Sequence, residues 1–153
     1  MKNISIAALA AITLLSSALP AAADTGITLK AGGFVQTDSA AKSSGGNLAV
    51  GAEYELVHPT TVTPFGVSLY GDVLGKNSGV GLSVRTNTPV YAGAGVGLYH
   101  AATDFASASS TGGKIFAGAG IGHGAAIELG YHFLPQVAGV STNAVSAQFA
   151  LRF

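Results

Sequence analysis

The chain has 153 residues, 7 of them basic and 7 acidic, so its formal charge is zero, and charged residues make up only 9% of it against about 25% in ordinary soluble domains. The missing basic excess argues against nucleic acid as a partner, and the absence of cysteine excludes disulfides and thiolate metal centres. So little charge would leave a soluble domain poorly dispersed, whereas a closed hydrogen-bonded barrel facing lipid needs neither surface charge nor disulfides.

The N-terminus has the form of a secretory signal. Lys2 supplies the positive start, Ile4 to Leu15 an apolar run, and Ala21-Ala22-Ala23 a small-residue cleavage site. Residues 1–23 are thus expected to be a cleavable signal peptide, and 24–153 a single barrel domain. The apolar run is short for a spanning helix, which needs about 20 residues.

Beyond it the recurring signal has period two, with apolar residues at alternate positions. Eight stretches show it. They are 26–35 with Ile27, Leu29 and Ala31; 47–56 with Leu48, Val50 and Tyr54; and 64–73 with Phe65, Val67 and Leu69. Next come 79–86 with Val80, Leu82 and Val84; 90–99 with Val90, Val96 and Leu98; and 113–122 with Ile115, Ala117 and Ile121. The last two are 125–133 with Ile127, Leu129, Tyr131 and Phe133, and 143–153 with Val145, Phe149, Leu151 and Phe153.

The opposite faces are small or polar: Gly93, Gly95 and Gly97 in the fifth stretch, Glu128, Gly130 and His132 in the seventh. Apolar outside and polar inside is the pattern of a membrane barrel. A soluble barrel reverses it. The expected fold is therefore all-β, an eight-stranded antiparallel up-and-down transmembrane β-barrel. Connections at 36–46, 57–63, 74–78, 87–89, 100–112, 123–124 and 134–142 mostly alternate long and short, as loops outside and turns in the periplasm would. The 57–63 segment fits that rule poorly. Tyr54, Phe65 and Phe153 would form one sparse aromatic girdle, Tyr131 and Phe133 the other. Phe34 falls on the inward face, unless a bulge at Gly32-Gly33 turns it outward.

Two stretches resemble the small eight-stranded outer-membrane proteins, a class that includes the barrel domain of outer membrane protein A, the OmpX/Ail group and the opacity-type barrels. One is the terminal Ala147-Gln148-Phe149-Ala150-Leu151-Arg152-Phe153; the other is Glu128-Leu129-Gly130-Tyr131-His132-Phe133, which looks like their penultimate strand. The resemblance implies an assembly signal at Phe149, Leu151 and Phe153. It also implies outer-membrane lipid, the barrel-assembly machinery and periplasmic chaperones as partners, in a Gram-negative-type outer membrane.

Inward positions carry Lys30, Glu53, Glu55, Arg85, Glu128 and Arg152. Uncompensated charges in so narrow a space are costly, so one interior ion-pair network is expected. Lys114 and Asp72 are expected near the outer end. The inward Gly93, Gly95, Gly97, Gly118, Gly120 and Gly122 thin one wall, making room for Tyr70, Arg85 and the glutamates or, alternatively, a ligand cavity open to the outside. Gly120–Ala125 formally matches a dinucleotide fingerprint, but lies between two strands and not between strand and helix.

Lipid A deacylases among such barrels carry a His-x-Ser pair with a nearby Glu. None of His58, His100, His123 and His132 is followed by Ser two residues on. His132, Ser146 and Glu128 all point into a lumen too narrow for a lipid, and no cluster has metal-ligand spacing. The chain is thus expected to be a non-enzymatic barrel without cofactor or metal, serving envelope integrity or surface contacts through its loops. Alternatives are a narrow pore for ions or small solutes and a lipid-modifying enzyme.

Overall fold

The structure, a computed structural model, describes residues 26–41, 47–59 and 63–153. The expected signal peptide lies outside the described residues. Eight strands follow in chain order: β1 (Ile27–Gln36), β2 (Leu48–Val57), β3 (Phe65–Leu74), β4 (Asn77–Thr86), β5 (Val90–Ala102), β6 (Ser107–Gly122), β7 (Ala125–Phe133) and β8 (Ala144–Arg152). Each pairs antiparallel with its neighbour, and β8 returns to β1 to close the barrel. Closure leaves no strand edge with unpaired N–H and C=O groups.

The alternation read from the sequence sets the faces. Leu48, Val80, Leu82, Val96, Leu98 and Ile127 project outward and are exposed, Val90 by 73%. The partners between them (Lys30, Glu53, Ser68, Tyr70, Ser83, Lys114 and Glu128) are buried in the lumen. Along the strands the interior is therefore largely polar, and most of the aliphatic side chains form the outer skin.

Several connections differ from expectation. The segment 100–112 is not a long loop: β5 runs to Ala102 and β6 begins at Ser107, leaving only 103–106 as a turn. Its Ser-rich upper part lacks the apolar alternation that marks the other strands, yet its backbone pairs in register, Ala102 with Ser107 and His100 with Ser109. The β3–β4 connection shrinks to Gly75-Lys76, with Gly75 in the left-handed region (φ 62°). The expected alternation of long and short connections thus fails at this turn. His123-Gly124 is the anticipated two-residue turn, both residues having positive φ (51° and 74°), as a type I′ hairpin requires.

The suggested bulge at Gly32-Gly33 is absent. Both glycines pair in unbroken register, and Phe34 stays inward. A Cβ on Gly32 would lie 2.0 Å from the Ala147 carbonyl oxygen, so glycine there answers a close approach of β1 and β8. Register shifts occur instead between Glu55 and Val57 and between Gly120 and Gly122.

Candidate functional site: the barrel lumen

The lumen has three levels. Its terminal end is the rim where β1 begins and β8 finishes; its loop end carries residues 37–41 and the 75–76, 103–106 and 134–143 connections, residues 42–46 lying outside the described residues.

The loop end is apolar and closed. The β7–β8 connection turns back over the opening through its own bridge, in which Val137 and Val140 exchange two N–H···O bonds of 3.0 Å. Leu134 and Val137 pack with Phe34, Leu74, Tyr99, Ala101 and Ala144, and Val137 is 1% exposed. The Thr142 hydroxyl donates to the Pro135 carbonyl, and the Asn143 side chain accepts from the Leu134 amide, tying both ends of the loop down.

The middle is a charged belt. The Lys30 ammonium donates to Glu53 (2.8 Å) and Glu128 (2.6 Å). The Lys114 ammonium donates to Asp72 (2.9 Å) and Glu53 (3.2 Å). Glu53 is thus shared by both lysines, and all five side chains are at most 4% exposed. Lys114 also lies 3.8 Å above the Tyr70 ring, whose hydroxyl meets that of Tyr99 at 2.9 Å. With three carboxylates and two ammoniums, the belt carries a formal charge of −1.

The terminal level is built on Glu55. Its carboxylate pairs with the Arg152 guanidinium and with His58, and Arg85 approaches to 3.9 Å. One carboxylate against two guanidiniums gives a formal charge of +1, opposite to the belt. The two levels meet at Tyr91: its hydroxyl donates to Glu128 (3.1 Å), and Arg85 lies 5.5 Å from its ring centroid.

The six interior charges singled out in the sequence therefore form two clusters, Lys30, Glu53 and Glu128 in one and Glu55, Arg85 and Arg152 in the other, which among the described residues meet at Tyr91. Lys114 belongs in the belt, not at the outer end, because β6 begins at Ser107 and so places Lys114 near its midpoint. Asp72 lies near the loop end of β3, and the long Lys114 side chain ties it to the belt. Tyr91 and His58 carried no sequence signal beyond their phase.

The inward glycines chiefly accommodate aromatic rings, not Arg85 or the glutamates. A Cβ on Gly93 would meet Phe116 at 2.4 Å, one on Gly118 would meet Tyr91 at 2.4 Å, and one on Gly95 would meet Tyr70 at 2.9 Å. Gly122 does not join this wall: it ends β6 beyond the register shift, has φ 102°, and a Cβ there would meet nothing within 4 Å. Among the described residues the loop end, where the alternative reading placed a ligand cavity, is occupied by the apolar plug.

His132 does meet Ser146, at 2.9 Å through Nε2, but its Nδ1 has no partner among the described residues, and Glu128 is engaged by Lys30 and Tyr91. A second contact of this kind, His100 Nδ1 to Ser109 Oγ at 2.9 Å, lies on the outer face. Neither histidine has a hydrogen bond or ion pair to a carboxylate among the described residues. A serine nucleophile needs its histidine oriented by such a group. Among the described residues no three His, Asp or Glu side chains are grouped to hold a metal.

In β8, Phe149 is partly covered, and Leu151, paired with Leu29 and Ala125, is buried. The Phe153 amide donates to the Ile27 carbonyl and fastens the chain end to β1.

These features define the class: a closed eight-stranded antiparallel barrel with an aliphatic exterior and a charged, plugged interior. Comparison with known protein families, with curated proteins and with solved structures returns no match.

Proposed function

We propose that this chain is a non-enzymatic outer-membrane barrel that contributes to envelope integrity or to surface contacts, with its lumen serving as a structural core. The observation that carries the reading is the inversion of polarity. Leu82, Val96, Leu98 and Leu129 are about half exposed or more, while Lys30, Glu53, Lys114 and Glu128 are buried. In water that arrangement would expose a continuous apolar belt, far beyond what soluble monomers tolerate. In a bilayer it buries the belt and satisfies every strand backbone group.

On this reading the terminal rim faces the periplasm, and the 37–47, 103–106 and 134–143 connections face outward. Phe105, 99% exposed at the β5–β6 tip, is the large aromatic anchor available to an external partner. Phe149, Leu151 and Phe153 would be read by the barrel-assembly machinery before the strand closes on β1, with periplasmic chaperones holding the unfolded chain until then. The apolar plug and the belt beneath it weigh against a steady pore.

The test is gel mobility in detergent with and without boiling, joined to planar-bilayer recording. A folded barrel migrates differently from the boiled chain and gives no steady open state. Identical mobility, with no uptake into lipid vesicles, would overturn the membrane assignment. A steady current would overturn the closed lumen.

A further inference from the structure

We infer that the terminal mouth of the lumen is a binding site for a small oxyanion, a phosphate or a carboxylate held between Arg85 and Arg152. A cavity of about 150 Å³ opens there, lined among others by Arg85, Arg152, Thr28, Asn87, Tyr91 and Gly120. It has room for several waters, whose share of liquid volume is about 30 Å³ each, or for one tetrahedral oxyanion.

Its charge is positive for a structural reason. Glu55 neutralises one guanidinium and no more, and its side chain is 2% exposed, whereas those of Arg85 and Arg152 are 15% and 33% exposed. The opening is therefore faced by the cations and not by the carboxylate that accompanies them. Arg152 makes a hydrogen bond to Glu55. Arg85 stands 3.9 Å from Glu55, too far for a hydrogen bond, and lies over the Tyr91 ring. A guanidinium stacked in this way keeps its in-plane N–H fork for a second acceptor.

The lysines of the belt differ in both respects. Each is held by two carboxylates, and its side chain is at most 3% exposed. Glycine supplies the space: a Cβ on Gly118 would strike Tyr91, but one on Gly120, next inward on β6, would have no neighbour nearer than 3.6 Å. The void is left by the missing side chain and is bordered by Arg85 and Arg152. A single guanidinium fork recognises a phosphate or carboxylate by two parallel hydrogen bonds, and Arg85, not hydrogen-bonded to Glu55, presents such a fork in a cavity that Arg152 also lines.

The experiment titrates inorganic phosphate into the full chain folded in neutral detergent, followed by calorimetry and by phosphorus NMR line width, with chloride at matched ionic strength as control. Saturable one-to-one binding is expected. Arg85→Gln should weaken it at least about tenfold, the loss of a charge-assisted hydrogen bond. Gly120→Val keeps both charges and fills the void, and should abolish binding. Heat-modifiable mobility verifies that each variant is folded. Absence of saturable phosphate binding overturns the proposal, as does binding unchanged in either folded variant. The outcome is independent of the membrane assignment, because it reads only the folded barrel.

Discussion

At the loop end the lumen is filled by Phe34, Leu74, Leu134 and Val137, a dry cluster contributed partly by a connection that folds inward. At the terminal end it opens onto Arg85 and Arg152 around one buried carboxylate. Between them lies a belt in which every charged side chain has an opposite partner. The interior is thus a blind cup, sealed on one side by hydrophobic packing and in the middle by ion pairs. Apolar packing can close an opening with few residues because burial needs no directional partner. A charged level must instead give each group an opposite partner, and here the belt does so while keeping one buried negative charge in excess, whereas the positive excess lies at the open terminal end.

This contrast can be broken from the belt outward. Lys30→Met should have the largest effect. It removes the cation between Glu53 and Glu128, leaving buried Glu128 without an ammonium partner and Glu53 with Lys114 alone, a loss of about 3–5 kcal/mol. Unfolding by urea in lipid vesicles measures it, and adding Glu128→Gln should recover part of the loss. A loss under about 1 kcal/mol would mean the belt is hydrated and not structural.

Leu82→Arg should cost about 2–4 kcal/mol at mid-bilayer, while Val57→Arg at the terminal rim should cost about 0–1 kcal/mol. Leu82 pairs with Leu69 and Val96 in mid-strand, whereas Val57 ends β2. Equal costs would remove the depth dependence that a membrane imposes. Val137→Ala trims the plug and should cost about 2 kcal/mol by lost burial and cavity formation. The same unfolding assay reads it, and a neutral result would show that the β7–β8 connection does not seal the cup.

The smallest effect is expected outside the lumen. Lys76 and Asp104 pair across two loop-end turns with both side chains more than one-third exposed. Lys76→Ala should cost no more than about 1 kcal/mol, and less at high salt. A larger loss would make the loop-end rim a structural element comparable to the belt.

Legibility from sequence followed the same division. Strands β4 and β7 were readable nearly to their ends because Val80-x-Leu82-x-Val84 and Ile127-x-Leu129 repeat aliphatic residues on one face with small or polar residues between them. The upper β5–β6 hairpin was not, since Ser107, Ser109 and Thr111 on its outer face are polar and leave no period to read. Phe34 could be given either face until its packing against the plug was known. Leu134 and Val137 looked like loop residues for want of any alternation around them.

Away from bulges and glycine pairs, the amino-acid order alone determined which residues share a face, because side chains alternate along any extended strand whatever its neighbours. It thereby determined the inverted polarity and the inward phase of Lys30, Glu53, Glu55, Arg85, Glu128 and Arg152. Only the closed barrel decided which of these charges meet, because the stagger between strands, and not position along one strand, sets their height in the lumen. That stagger brought Lys114 to both Glu53 and Asp72, separated Glu55 with its two arginines, and left the space beside Gly120 open at the mouth.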